Sequence, residues 1–91
     1  MTTLLVQHHV GNFSDWKQAF DGHAANRQSH GATGHRVIRD GEDVTALIEF
    51  PDRGSAEAFV NDPALREAMS RAGVEGAPSI AFTDDVESVA Y

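Results

Sequence analysis

The chain begins with residues that alternate between apolar and polar and then changes to an apolar repeat of three and four. Alternation over residues 2–10 predicts a β-strand, because successive side chains of a strand point to opposite faces. Gly11 ends this strand, and Asn12 is suited to cap the helix that follows. Gly31 ends the helix. The stripe that this helix buries contains Phe13, Trp16, Phe20, Ala24 and Arg27.

Two further strand patterns follow, and a tight turn joins them. Residues 34–40 (GHRVIRD) and 43–50 (DVTALIEF) are rich in the residues that strands favour, and Gly41 lies in the connection. The pattern therefore predicts a β-hairpin with a turn of three or four residues.

The last third of the chain predicts two short helices and a fourth strand. Asp52 or Ser55 can cap the first helix. Asp62 and Pro63 begin the second helix, since Asp is a good cap and Pro is favoured at the first helical position. Gly73 ends it, and the segment APSIAFTDD is the fourth strand.

These elements follow one another in the order β-α-β-β-α-β, which is the ferredoxin-like, or split βαβ, pattern. We predict one α+β domain over residues 1–91. Its four-stranded sheet is antiparallel, and both helical segments lie on one face of that sheet.

The face of the sheet that the helices leave open is not purely polar. In residues 43–50 one side of the strand is wholly apolar, and the other side places Leu47 between Thr45 and Glu49. A solvated face would contain more Lys, Thr and Glu, and a packed face would exclude Glu49. We therefore expect a second copy of the sheet to cover this face in a homodimer. A partly polar pocket then lies between sheet and helices or between the two sheets.

Composition narrows the classes of partner and chemistry. The formal net charge of −7 argues against nucleic acid and anionic membranes as partners, since both need basic patches. The absence of cysteine excludes disulfides, thiolate metal sites and thiol catalysis. The N-terminus has no basic segment followed by a long apolar run. We expect a cytoplasmic protein that is complete as it stands.

Two adjacent histidines near the end of the first strand are the leading candidates for chemistry. His8 and His9 must point to opposite faces. The imidazole of His8 titrates near neutrality and suits removal of an acidic phenol or β-keto proton as a general base. The alternative is a buried histidine that bonds to a backbone carbonyl. For His9 we expect a solvated strand end.

Glu49 and His35 are the other candidate catalytic residues. Glu49 could orient a histidine or act as a base itself, or it could form an ion pair with Arg36 or Arg39 on the neighbouring strand. The hairpin register decides which arginine faces Glu49, and Arg39 is the candidate for binding substrate. His35 could line the cavity with His8, or it could be exposed on an edge strand.

Aromatic residues supply the candidate substrate contacts. Trp16 and Phe20 pack the first helix on the sheet and could also form a wall for a flat ligand. Tyr91, at the end of the chain, could reach the partner subunit as an anchor or lid. The five histidines show no HxH or HxxxH spacing, so we expect neither a metal nor a cofactor.

Four segments carry a resemblance to a known family, namely VQHHV, FSDWKQAFDGH, IEFPD and DPALREAMSRAGVEGAPSIAF. On these segments the chain resembles the dimeric α+β barrel superfamily, and within it small bacterial proteins of the cyclase and monooxygenase type. The hairpin turn RDGED is shorter than the Asp-Pro-containing loop of that group, so ligand contacts of that loop are not carried over.

The resemblance implies two ferredoxin-like subunits with their sheets face to face and a small-molecule pocket in each. His8 stands where these proteins commonly have a histidine. The expected ligand is small and aromatic or polyketide-like, and the expected activity is that of a cofactor-independent cyclase or monooxygenase. A non-catalytic ligand-binding or stress-related dimer is the alternative, because the fold does not select among these functions.

Overall fold

The computed structural model describes residues 1–91 as four strands and four helices around one sheet. The elements are β1 (Thr2–Val10), α1 (Phe13–Gly22), α2 (Ala24–Ser29), β2 (Gly34–Asp40), β3 (Asp43–Phe50), α3 (Arg53–Asn61), α4 (Pro63–Arg71) and β4 (Val74–Asp84).

The sheet has the strand order β2-β3-β1-β4, and every neighbouring pair is antiparallel. β1 lies in the centre and pairs with β3 from Thr2 opposite Phe50 to His9 opposite Asp43. This topology confirms the predicted ferredoxin-like α+β fold.

The core lies between one face of the sheet and the helices. Alternate residues of β1 and β3 are buried there, and the same residues pack against side chains of α1, α3 and α4. The central contacts join Phe50 of β3 to Phe59 of α3, with ring centres 5.6 Å apart. The buried apolar residues are Leu4, Val6, Val10, Trp16, Val44, Ala46, Ile48, Phe50, Ala56, Phe59, Leu65 and Ala72.

Side-chain caps begin three of the helices where the sequence places them. The side chains of Asn12, Asp52 and Asp62 accept hydrogen bonds from the backbone N–H groups at the start of α1, α3 and α4. Asp62 also binds His30 Nε2 at 2.8 Å, which ties the end of α2 to the start of α4. These contacts satisfy N–H groups that have no partner inside a helix.

The first helical segment is divided, although the spacing of its apolar stripe predicts one helix. His23 lies between α1 and α2 with φ −97° and ψ 10°, outside regular helical geometry. Gly22 precedes it, and glycine is among the weakest helix formers because its backbone loses the most freedom. Arg27 in α2 is buried, as its place in the predicted stripe indicates.

The hairpin turn contains two residues, fewer than the three or four predicted. Asp40 pairs with Asp43, and only Gly41 and Glu42 lie between them. Gly41 has φ +59°, while no residue other than glycine has a positive φ, as in a type II′ turn. This register places Arg36 opposite Leu47 and Arg39 opposite Val44, on different faces of the sheet.

The second face of the sheet is not covered by helices. Leu5 and Leu47 are half-buried at its centre, and Ile38 is 45% exposed beside them. No helix is long and apolar enough to cross a membrane.

Candidate active site

His8 lies on the helix-covered face of β1, in the row that contains Leu4, Val6 and Val10. Both ring nitrogens of His8 are buried, and neither has a hydrogen-bond partner. Buried polar groups are almost always paired, so an imidazole with two unpartnered nitrogens is unusual. His8 therefore does not form the hydrogen bond to a backbone carbonyl that the alternative interpretation required.

The His8 ring lines a cavity of about 50 Å³ between the sheet and the helices, which we call the His8 cavity. β1 and β3 form its floor with Val6, Ala46 and Ile48, and the helices close it from above. Most of the lining is hydrophobic, and the polar residues of the lining are His8, His23 and Arg27. Two positions for a pocket were compatible with the sequence, one between sheet and helices and one between the two sheets. His8 faces the first of these.

The sheet is irregular beside His8. The pairing of β1 with β4 shifts between Gln7, which lies opposite Ser79, and His9, which lies opposite Glu75. Residues 76–78 of β4 therefore bulge opposite a single residue of β1. Gly76 in this bulge has φ +74°, and a bulge of this kind interrupts the ladder and re-aims the neighbouring side chain.

Aromatic rings extend from His8 along α1. The ring centres of His8 and Trp16 are 5.3 Å apart, and Trp16 stacks on Phe20 at 4.9 Å with an interplanar angle of 21°. Trp16 is 3% exposed and belongs to the core, as predicted from its spacing. Both rings also line the His8 cavity, so they pack α1 on the sheet and form part of the cavity wall.

Burial sets the protonation state of the His8 imidazole. It lowers the pKa of His8 from its ordinary value of 6.5, because an apolar surrounding disfavours the charged ring. The ring is therefore neutral at pH 7, and a neutral ring nitrogen can accept a proton. No carboxylate is hydrogen-bonded to this ring.

Arg27 belongs to the stripe that was predicted to be buried, but no functional role was predicted for it. Its side chain is 4% exposed, and its guanidinium carbon lies 3.7 Å from the centre of the Phe20 ring. Nη1 donates a hydrogen bond of 2.7 Å to the carbonyl oxygen of Phe20. The available signal was a charged residue within the apolar repeat of Trp16, Phe20 and Ala24.

The structure does not bring Glu49 and Arg39 to His8. Glu49 is exposed on the uncovered face of β3, because residues 49 and 48 of a strand point in opposite directions. Glu49 makes no ion pair with Arg36 or Arg39. Arg39 lies on the helix face, where its guanidinium stacks over the Phe13 ring at 4.0 Å, outside the His8 cavity.

His35 and Tyr91 also lie outside the His8 cavity. His35 is exposed on the edge strand β2 and meets the Phe20 ring edge-on at 5.0 Å. Tyr91 is fully exposed at the end of the chain and contacts nothing in the same chain that would fix it. His9 points to the other face, as predicted, and its Nδ1 lies 2.9 Å from Asp43, which raises the pKa of His9.

Residues that could hold a metal ion do not converge in this chain. No group of three or more His, Cys, Asp or Glu side chains is arranged to bind one.

Comparison with known proteins shows which solved structures share the architecture of this chain. No protein-family model matches the sequence, and no curated protein matches it. SnoaB of Streptomyces nogalater, a cofactor-independent oxygenase, superposes with a TM-score of 0.79 at 11% identity, over 97% of this chain and 95% of SnoaB. The chain has the fold of antibiotic biosynthesis monooxygenases.

Two further monooxygenase-like structures extend this likeness. A provisionally assigned antibiotic biosynthesis monooxygenase of Bordetella bronchiseptica has a TM-score of 0.79 at 12% identity, over 94% of this chain and 97% of that chain. Another from Caulobacter crescentus has a TM-score of 0.73 at 16% identity, over 94% of this chain and 90% of that chain. At these identities the likeness concerns the ferredoxin-like monooxygenase fold.

Proposed function

We propose that this protein is a cofactor-independent enzyme that takes a proton from a small aromatic or polyketide-like substrate, with His8 as the general base. The observation that carries the proposal is that His8 lines a cavity and that both of its ring nitrogens are buried without a hydrogen-bond partner. The lining of the His8 cavity is mostly apolar with a few polar groups, which is typical of sites that bind small molecules.

The proton transfer leads to one of two reactions. Neutral His8 accepts a proton from an acidic C–H or O–H group and leaves an enolate or phenolate. In a cyclisation this carbanion attacks a carbonyl of the same molecule. In an oxygenation it reacts with O₂, so that a ring CH₂ and O₂ become a carbonyl and water. The likeness to the fold of SnoaB favours oxygenation as the first reaction to test.

The size of the His8 cavity requires side chains to move when a ligand binds. An engineered protein cavity that holds benzene measures about 150 Å³, three times the volume of the His8 cavity. Leu65 and Met69 line both this cavity and a wider cleft of about 530 Å³ between α4 and β4. Met69 is unbranched and changes rotamer readily. We infer that substrate reaches His8 from this cleft past Met69.

The uncovered sheet face is the proposed surface for a homodimer. Leu5, Leu47 and Ile38 form an apolar centre there, bordered by threonines. Because His8 faces the helices, the wall of the His8 cavity does not depend on the partner. The dimer and the role of His8 are therefore separate proposals.

Anthrone offers a direct test, because its acidic CH₂ lies between two rings and its oxygenation yields anthraquinone and water. O₂ uptake and anthraquinone formation are measured with the wild type, His8→Ala and the neighbouring control His9→Ala. We expect His8→Ala to lower kcat/KM by about 10²–10⁴-fold, the usual contribution of a general base, and His9→Ala to leave it unchanged. Undiminished turnover by a folded His8→Ala protein contradicts the proposal.

A binding protein without turnover is the second candidate. It is favoured by one observation, that no carboxylate is hydrogen-bonded to His8 to receive the proton that the imidazole takes up. Anthraquinone binding without O₂ uptake or cyclisation by the wild type supports this second candidate.

A further inference from the structure

Arg27 places a permanent positive charge in the wall of the His8 cavity, and only 4% of the residue is exposed. Resting on the function proposed above, we propose that Arg27 binds an anionic oxygen group of the ligand, a carboxylate or a phenolate. The ligand of this protein is then an acid and not merely a flat apolar molecule.

The protein itself supplies no counter-ion to Arg27. The guanidinium forms no ion pair, and its hydrogen bond goes to the neutral carbonyl oxygen of Phe20. Asp21 is the acidic group that acts on Arg27 over a distance. Lys17 already holds that carboxylate, with Nζ at 2.6 and 2.7 Å from its two oxygens.

The absence of a counter-ion for Arg27 does not follow from a shortage of carboxylates in the chain. The chain has 14 Asp and Glu residues against seven Lys and Arg. A buried charge without a partner is costly, and arginine remains charged in proteins. Stacking on Phe20 offsets part of that cost. The guanidinium has five N–H donors, of which the Phe20 carbonyl uses one, so a bidentate oxygen ligand has donors to meet.

Arg27 is the positively charged residue in the lining of the His8 cavity, in a protein whose formal net charge is −7. Burial, and after it the charge of nearby Arg27, lowers the pKa of His23, which also lines the His8 cavity. The same two causes lower the pKa of His35 on the edge strand. Both rings are therefore neutral at pH 7 and do not compete with the guanidinium for an anion. An anion that enters this end of the cavity meets a cation and no fixed carboxylate.

The arrangement also suggests how the ligand lies. The His8, Trp16 and Phe20 rings and the Arg27 guanidinium follow one another along one wall, each in contact with the next. A flat ligand on this wall would present its reacting C–H or O–H to His8 and its anionic oxygens to Arg27. Arg27 then fixes which end of the ligand meets the base.

Binding by calorimetry tests this with three naphthalene compounds of similar size. Naphthoate carries a carboxylate, naphthamide is its neutral counterpart, and naphthol becomes a phenolate at high pH. We expect the wild type to bind naphthoate about 10- to 100-fold more tightly than naphthamide, the range for one charged hydrogen-bonded contact. Naphthol that binds more tightly as the pH rises through its own pKa identifies a phenolate as a second acceptable anion.

Variants assign the preference to Arg27. Arg27→Met is expected to remove the preference for naphthoate, and Arg27→Lys to keep part of it, because lysine retains the charge but not the fork. Arg71→Met, which removes a charge from an exposed position at the end of α4, is the matched control and keeps the preference. The comparison of acid and amide on the wild type needs no variant, so it stands even if Arg27→Met does not fold.

Each result decides the proposal. Equal affinity of the wild type for naphthoate and naphthamide overturns it, and so does failure of naphthoate to bind at millimolar concentration. A preference that survives in Arg27→Met overturns it as well. Arg27-dependent naphthoate binding without turnover of any substrate supports Arg27 and contradicts the proposed enzyme. Turnover of anthrone that depends on His8, together with equal affinity of the wild type for naphthoate and naphthamide, does the reverse.

Discussion

Replacing His8 by leucine should make the protein more stable while it removes activity. Leucine is close in size and has no polar atoms, so the change removes two buried nitrogens that lack partners. An unsatisfied buried polar group costs about 1–3 kcal/mol. The substitution also removes the contact between the His8 and Trp16 rings, whose centres are 5.3 Å apart. Loss of this contact destabilises the protein by about 0.5–1.5 kcal/mol and so offsets part of the gain.

The midpoints of these two ranges differ by about 1 kcal/mol, so we expect His8→Leu to raise the free energy of unfolding by about that amount. For a domain of this size that corresponds to an increase in Tm of about 4–8 °C per kcal/mol. Urea unfolding is followed by circular dichroism and by the fluorescence of Trp16, the only tryptophan, at about pH 8, where histidine is neutral. The protomer concentration is held constant, because association alters apparent stability.

The neighbouring histidine supplies the control for this experiment. His9 is half-exposed and its Nδ1 is hydrogen-bonded to Asp43, so His9→Leu should bring no gain in stability. A His8→Leu protein that is less stable than the wild type, with an unchanged m-value, would refute the reasoning. It would mean that the imidazole is satisfied in solution and is not kept at a cost to stability.

Three further predictions concern pH, backbone and assembly. Because the pKa of His8 is lowered on folding, the unfolded chain binds more protons below pH 6.5, so the free energy of unfolding should fall as the pH falls below that value. Urea midpoints should fall less steeply in His8→Leu, and equal slopes would contradict the assignment. A Cβ has open space at both Gly22 and Gly41, but only Gly41 has a positive φ. Gly22→Ala should therefore gain about 0.4–1 kcal/mol and Gly41→Ala should lose about 1–2 kcal/mol, and a gain in both would show that backbone strain does not matter at the turn. Leu47→Asp should change the mass measured by light scattering from dimer to monomer with unchanged helicity, and a wild type that is already monomeric would contradict the proposed dimer.

The periodicity of the sequence was sufficient to predict the sheet and the faces of its strands. Alternation along β1 separates His8 from His9, and the structure places them on opposite faces. The residues Asn12, Asp52 and Asp62 begin helices because a short polar side chain can satisfy the first N–H groups. These are local effects, and local sequence contains them.

Other features depend on contacts between distant segments. The two-residue turn, which Gly41 permits with its positive φ, fixes the register of β2 on β3. That register pairs Arg36 with Leu47 and Arg39 with Val44, on different faces of the sheet. Whether Glu49 joins His8 depends on the register of β1 on β3, which pairs His8 with Val44 and so leaves Glu49 on the opposite face of the sheet. Arg27 lies in the stripe predicted to be buried, but the break at His23 and the hydrogen bond from Arg27 to the Phe20 carbonyl across it were not predicted from the spacing.

A crystal of this protein soaked with anthraquinone tests the central claim most directly, because it shows both where a flat ligand binds and what His8 contacts. We expect density along Trp16 and Phe20, with Met69 moved aside and a quinone oxygen at hydrogen-bonding distance from a ring nitrogen of His8. Anthraquinone bound elsewhere on the protein, with His8 bonded to a backbone carbonyl and the His8 cavity closed, would contradict this claim.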